Sequence, residues 1–309
     1  MSRKLAREWH RTKAYLAGCF AIMTAIALAG FFFLSFVVAL ISTRDSALAT
    51  PRTTQTSAIT ASLEFLSNPV KAGELAQMRV RLNDVQGKPF GGLVPLYGKY
   101  LHVFVTSDDF RLYGRDNPDN YPHGADTASR GEFSMPILFP QAGAYSVAIR
   151  FRSASSQEIT KLFSVAVADA DGAMVSKNTA RRPDERTKKT FANYEVALVL
   201  DPETPTPCRP TRISFNIKRD GRPVTSFEPL EPVVSAQRGT ALAIAAWDEH
   251  LQEFLYTQAS AESVSPMPTA ELSFSKPGGY GIFSEFKDNG QIIPTSFFVP
   301  VTDSAGCGS

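Results

Sequence analysis

The sequence predicts a mainly β protein: one N-terminal transmembrane helix followed by two tandem β-sandwich domains. Three observations carry this. The first is a duplication. GKPFGGLVPL at 87–96 returns as GRPVTSFEPL at 221–230, aligning Gly87, Lys88, Pro89, Pro95 and Leu96 with Gly221, Arg222, Pro223, Pro229 and Leu230. FPQAGAY at 139–145 returns as FSKPGGY at 274–280, sharing Phe, Gly and Tyr at the same spacing. The offset is 134 residues in the first pair (221 minus 87) and 135 in the second (274 minus 139). That exceeds the ~20 to 50 residues of a solenoid unit, so each copy is a whole domain. The second observation is a series of short apolar runs of period two, separated by Gly, Pro and Asp turns, with no amphipathic helix among them. The third is an uncharged stretch of 27 residues, 15–41, longer than the ~20 a helix needs to cross a bilayer.

In chain order, 1–14 form a basic segment in which Arg3, Lys4, Arg7, Arg11 and Lys13 oppose Glu8 alone. The positive-inside bias places it in the cytoplasm and everything after the span of 15–41 outside. A signal peptide cleaved at Ala47-Leu48-Ala49 is the rival reading, but the apolar stretch is about twice the ~7 to 15 residues of a signal h-region. Residues 42–56 read as a tether. The first sandwich is expected over 57–168, with strands at 58–65, 77–82, 101–105, 133–139, 145–151 and 159–167. In the second of these Met78, Val80 and Leu82 alternate with Arg79 and Arg81. A polar linker, 169–190, gathers Arg181, Arg182, Arg186, Lys188 and Lys189. The second sandwich, 191–303, repeats the pattern at 194–200, 213–217, 242–247, 270–273, 280–286 and 292–301, and 304–309 form a tail. This strand count and turn spacing point to immunoglobulin-like sandwiches. Tyr145 and Tyr280 each follow Gly-x and either form a tyrosine corner or simply pack.

Composition narrows the function classes. A net charge of +2 with scattered basic residues gives no footprint for nucleic acid. Three cysteines, at 19, 208 and 307, are too few for a cysteine-based zinc site or a disulfide framework. Cys208 and Cys307 fall at the same end of the second sandwich, where a disulfide and two free thiols both fit. No GxSxG, HExxH or P-loop occurs, and Asp108, Asp109, Asp116, Asp119 and Asp126 lack the spacing of a calcium loop. These absences argue against an enzyme.

The segment LVPLYGKYLHVFVTSDDF at 93–110 resembles the YtkA-like and CopC-like sandwiches of bacterial extracytoplasmic proteins, some linked to copper. The strand histidine of that family matches His102, and its Asp-containing turn matches Ser107-Asp108-Asp109. The resemblance implies a β-sandwich outside the cytoplasm and, with it, a copper site. Its His-x-His-Pro motif is replaced by Arg115-Asp116-Asn117-Pro118 in the first copy and Tyr256-Thr257-Gln258-Ala259 in the second. If a metal is held, His102 and His123 with Asp108 and Asp109 are the groups left to hold it, although a histidine in an apolar strand is more often a core residue.

The long excursion at 108–131 is the leading functional candidate, because it carries Phe110, Arg111, Tyr113, Arg115 and Tyr121. Tyr and Arg are enriched where proteins grip partners, and long loops on rigid scaffolds tend to carry function. The expectation is a single-pass protein of the bacterial inner membrane presenting a non-catalytic binding or scaffold module in the periplasm. Its partners would be the lipid bilayer and integral membrane proteins of a larger complex.

Overall fold

The computed structural model describes residues 47–48, 50–52, 59–122, 128–155, 157–175, 184–230, 239–260 and 267–303. The basic segment, the apolar span 15–41, His123 and Cys307 lie outside the described residues, as do 176–183 of the linker.

Repeat 1 contains β1 (Ala47–Leu48), β2 (Thr50–Arg52), β3 (Thr60–Phe65), β4 (Leu75–Asn83), β5 (Leu93–Val94), β6 (Leu101–Ser107), β7 (Tyr113–Asp116), β8 (Glu132–Leu138), β9 (Gly143–Ser153) and β10 (Glu158–Val167). One sheet runs β1-β3-β4-β8 and the other β2-β10-β9-β6-β7, with the short β5 paired to the end of β9. Repeat 2 contains β11 (Lys188–Phe191), β12 (Tyr194–Asp201), β13 (Pro210–Arg219), β14 (Arg222–Pro223), β15 (Thr240–Asp248), β16 (Phe254–Ser260), β17 (Thr269–Ser273), β18 (Gly278–Asp288) and β19 (Gln291–Val301). Its sheets are β11-β12-β13-β14, with β17 on the far side of β13, and β16-β15-β18-β19. Each repeat is therefore an antiparallel β-sandwich. Its first, second and fifth main strands form one sheet and the third, fourth, sixth and seventh form the other, the strand exchange of an immunoglobulin-like fold.

Alternation explains the two cores. In β4 the side chains of Ala76, Met78, Val80 and Leu82 are buried while Gln77, Arg79 and Arg81 face outward. They meet Leu63 and Phe65 of β3, Phe133 and Met135 of β8, and Val147, Ile149 and Phe151 of β9 in one apolar cluster. In repeat 2 the matching cluster contains Val196, Ile213, Phe215, Leu242, Ile244, Ile282, Phe286 and Phe297.

The duplicated motifs have identifiable mechanical roles. Gly87 and Gly221 take φ of 78° and 77° where the chain reverses after β4 and β13, a left-handed geometry that favours glycine. Three residues on, the amide of Phe90 donates to Leu82 O and that of Val224 to Ile217 O, at 2.8 and 2.9 Å. The second motif makes tyrosine corners. The Tyr145 hydroxyl donates to Gln141 O at 2.8 Å, four residues back across the strand crossover. That of Tyr280 lies 3.2 Å from the equivalent Lys276 O and 2.5 Å from its nearer acceptor, Glu253 Oε2.

Several boundaries differ from expectation. Within the supposed tether, β1 pairs with β3 and β2 with β10, so 47–48 and 50–52 extend the two sheets of repeat 1. The last residues of the supposed linker form β11, which pairs with β12. The excursion after Ser107 contains β7, and the segment 254–260 is the equivalent strand, β16.

Candidate functional site

Among the described residues, two of the four sheets are apolar on both faces. In β15 the run LAIAAW sends Leu242, Ile244 and Ala246 into the core of repeat 2, and Ala243, Ala245 and Trp247 to the opposite side. A strand flanked on both faces reads as a continuous apolar run rather than an alternation. In repeat 1, Phe104 of β6, Ala148 of β9 and Leu162 of β10 likewise point away from their own core. These outward faces meet. Phe104, Ala148 and Leu162 form one cluster with Leu230, Ala243, Ala245, Trp247, Leu251, Phe254, Tyr256 and Phe283, and Phe110 and Tyr113 pack against it. The sandwiches are welded sheet to sheet, a relation that the linker sequence had left open.

Aromatic contacts fill the weld. Phe104 lies 4.9 Å from Phe254 and 4.7 Å from Tyr256 between ring centroids, and Tyr113 stacks on Phe283 at 4.8 Å with an interplanar angle of 8°. The Arg115 Nε donates to Glu285 Oε2 at 2.7 Å, with side chains only 7% and 10% exposed. A charge pair this dry is strongly interdependent, because either partner alone would be an uncompensated buried ion. Burial raises the Tyr113 phenol well above its ordinary range, and the nearby Glu285 adds to the effect.

The weld is reciprocal. Cross-strand register sets Phe104 opposite Arg115 and Ala148, and Ala245 opposite Tyr256 and Phe283. Arg115 thus corresponds to Tyr256, Ala148 to Phe283, and Arg150 to Glu285. Arg115 of repeat 1 meets Glu285 of repeat 2, and Arg150 of repeat 1 lies over the Tyr256 ring of repeat 2 at 5.6 Å. One pair of positions is used twice, with the repeats exchanged. The connecting turns match as well, for Phe110 and Leu251 both take φ of 57° and both reach the weld.

The residues expected to contact a partner divide accordingly. Phe110, Tyr113 and Arg115 face repeat 2 of their own chain, so that part of the expected partner surface is occupied internally. Tyr121 packs against the core of repeat 1 and its hydroxyl donates to Asp116 Oδ2 at 2.5 Å. Arg111 remains largely exposed, its side chain 56% accessible and 3.5 Å from Asp109.

Of the expected metal ligands, the described three, His102, Asp108 and Asp109, are not gathered. His102 is fully buried at the start of β6 and its Nε2 donates to Leu96 O at 2.6 Å. Its ring lies between those of Tyr97, Phe104 and Tyr256. Asp108 and Asp109 follow the other end of β6, on the order of 20 Å away at ~3.3 Å per residue. Asp109 instead orders the turn, accepting from the Ser107 hydroxyl at 2.6 Å and the Arg111 amide at 3.2 Å. Among the described residues no three His, Cys, Asp or Glu side chains group as metal ligands. Cys208 is disulfide-bonded, and its partner lies outside the described residues. Thr302, near the chain end, donates its amide to Pro205 O at 3.0 Å, close in sequence to that cysteine.

What sequence reasoning missed is the role of β7 and β16. The signal available was the unbroken apolar run 241–247, which requires a cover on each face.

Three solved structures show how limited the outside likeness is. The FdeC adhesin of Escherichia coli is 16% identical, with 80% of this chain and 66% of that chain covered at a TM-score of 0.22. Escherichia coli alpha-2-macroglobulin activated by porcine elastase is 11% identical, with 80% and 24% covered at 0.26. The FN1-FN3 domains of chicken CNTN1 are 10% identical, with 75% and 64% covered at 0.21. At such scores the likeness carries no argument about this chain. No curated protein matches it. Residues 189–303, from within β11 to just past β19, match the family described as Domain of unknown function (DUF8832).

Proposed function

We propose that the chain is a membrane-anchored, extracytoplasmic, non-catalytic binding or scaffold subunit. The apolar span 15–41 would hold it in a bacterial inner membrane with the N-terminus in the cytoplasm, and the paired sandwiches would stand in the periplasm beside integral membrane partners. The observation that supports this most is the weld. Burying two sheet faces and the Arg115–Glu285 pair makes one stiff body from two modules, a platform rather than a cleft. The sheets left facing solvent carry interleaved charge, with Arg81 between Glu64 and Glu132, and Glu195 between Lys188 and Lys218. Such mixed-sign surfaces suit protein contact better than a polyanion.

The test is crosslinking of the full chain in native membranes, with identification of what is caught. Reproducible capture of a defined integral membrane protein through the solvent-facing sheets supports the reading. A chain that migrates alone on native electrophoresis after gentle detergent extraction, and yields no crosslinked partner, overturns it.

A further inference from the structure

We infer that one end of repeat 1 rests in the headgroup layer of the membrane, inserting Leu66, Leu75, Met174 and Val175. Eight large apolar side chains stand exposed among the described residues, and these four, at 39%, 67%, 62% and 44%, belong to the same end of the sandwich. The β3–β4 turn presents Leu66 and Leu75. The Leu66 amide donates to Gln77 O at 3.0 Å, and Leu75 pairs across the strand with the half-buried Leu138. The extension after β10 presents Met174 and Val175, held beside that turn by isolated bridges from Ala168 to Lys71 and to Met174. The Ala72 amide donates to Ala168 O at 2.8 Å, and Lys71 Nζ to Ala170 O at 3.1 Å, so the two projections are tied together.

The chain's own path identifies the occupant. In β1, Ala47 lies opposite Phe65, one residue from Leu66, so the segment arriving from the apolar span enters at this end. Only 42–46 separate the span from β1, and five residues reach at most about 18 Å fully extended. The interfacial layer on each side of the hydrocarbon is roughly 5 to 7 Å deep. On the anchored reading, a leash that short leaves this end within reach of the layer. The flanking charges Glu74, Asp169 and Asp171 are acidic, and Lys71 is engaged with a carbonyl. The contact therefore depends on apolar insertion and not on attraction to anionic lipid.

This inference rests on the anchored reading above, and the experiment separates the two. The full chain, as Leu75→Trp or Met174→Trp, is reconstituted in phosphatidylcholine vesicles brominated near the headgroup end of the acyl chain. Val199→Trp and Ile292→Trp, at exposed apolar positions elsewhere, serve as controls. Thermal unfolding first establishes that each variant is folded. Retention in the membrane pellet after alkaline carbonate, with blue-shifted emission that bromine quenches at 75 and 174 but not at 199 and 292, supports the inference. Retention with equal, weak quenching at all four positions overturns it and leaves the anchor standing. Release by carbonate overturns the anchor and this inference together.

Discussion

Arg115 and Glu285 show how a single contact can be decisive without being strongly stabilising. Removing water from both charges offsets most of their attraction, yet leaving one alone in the weld costs about 3–5 kcal/mol. Arg115→Ala and Glu285→Ala should each destabilise by about that amount in urea titration, while Arg115→Met combined with Glu285→Leu should fall within about 1 kcal/mol of the parent. Equal losses in the single and double variants would show that the pair is not shielded as its burial implies. The tyrosines make a pH prediction. Burial raises the phenols of Tyr113, Tyr145 and Tyr280 above their ordinary 10.0. The unfolded chain gives up these protons at lower pH than the folded one. Their contribution is therefore complete below pH 10 and declines as pH climbs past it. The urea midpoint should fall steeply across that boundary, and phenolate absorbance should lag in the folded protein until it unfolds. At this scale the sequence marked Tyr145 and Tyr280 as equivalent, each following Gly-x, but left corner and simple packing both open until the hydroxyl contacts were seen. It was opaque for Phe110, Tyr113 and Arg115, because a surface loop and a buried contact use the same residue types and only the fold says which is present.

Hairpins and edges explain the next level. The strands read from alternation lie close to where the sequence put them, because period-two burial is a property of one strand and its own core. β7 and β16 escaped notice because Tyr-Gly-Arg-Asp carries too little apolar signal, and because 254–260 is buried by the other repeat as much as by its own. Gly281 marks the fit between them. A Cβ there would lie 2.4 Å from the Phe110 ring, closer than real contacts allow. Gly281→Val should therefore force the weld open, costing about 1–3 kcal/mol as overpacking does, and Phe110→Ala in the same chain should recover part of the loss in thermal unfolding. An unchanged melting temperature in Gly281→Val would mean that Phe110 does not lie where the structure puts it. The outer strand β19 shows a different device. Pro294 and Pro300 remove two edge donors, and Lys189 caps Ser296 O at 3.1 Å, measures that discourage another chain from adding a strand.

At the scale of the whole molecule, the weld joins what the sequence divides. Sandwiches linked only by a polar tether would melt separately, but here each shields an apolar face of the other. Calorimetry of the full chain should give one unfolding transition for both repeats, and Trp247→Ala, which empties the middle of the shared cluster at a cost of about 3–5 kcal/mol, should split it in two. Two transitions in the parent chain would show that the sandwiches are energetically independent. The duplication itself was plain in the sequence; the relation between its halves was not, because period-two alternation records which face of a strand is covered and says nothing about what covers it. The exchange of roles between equivalent positions has a corollary. A surface that recognises its own copy is the isologous arrangement of a homodimer, and here it is formed between the two repeats of one chain. Carrying both halves in one chain makes their pairing intramolecular, at a high effective concentration that does not depend on dilution. Within one chain the two halves need not be identical, so the same pair of positions holds a salt bridge on one side, Arg115 with Glu285, and a cation over a ring on the other, Arg150 with Tyr256.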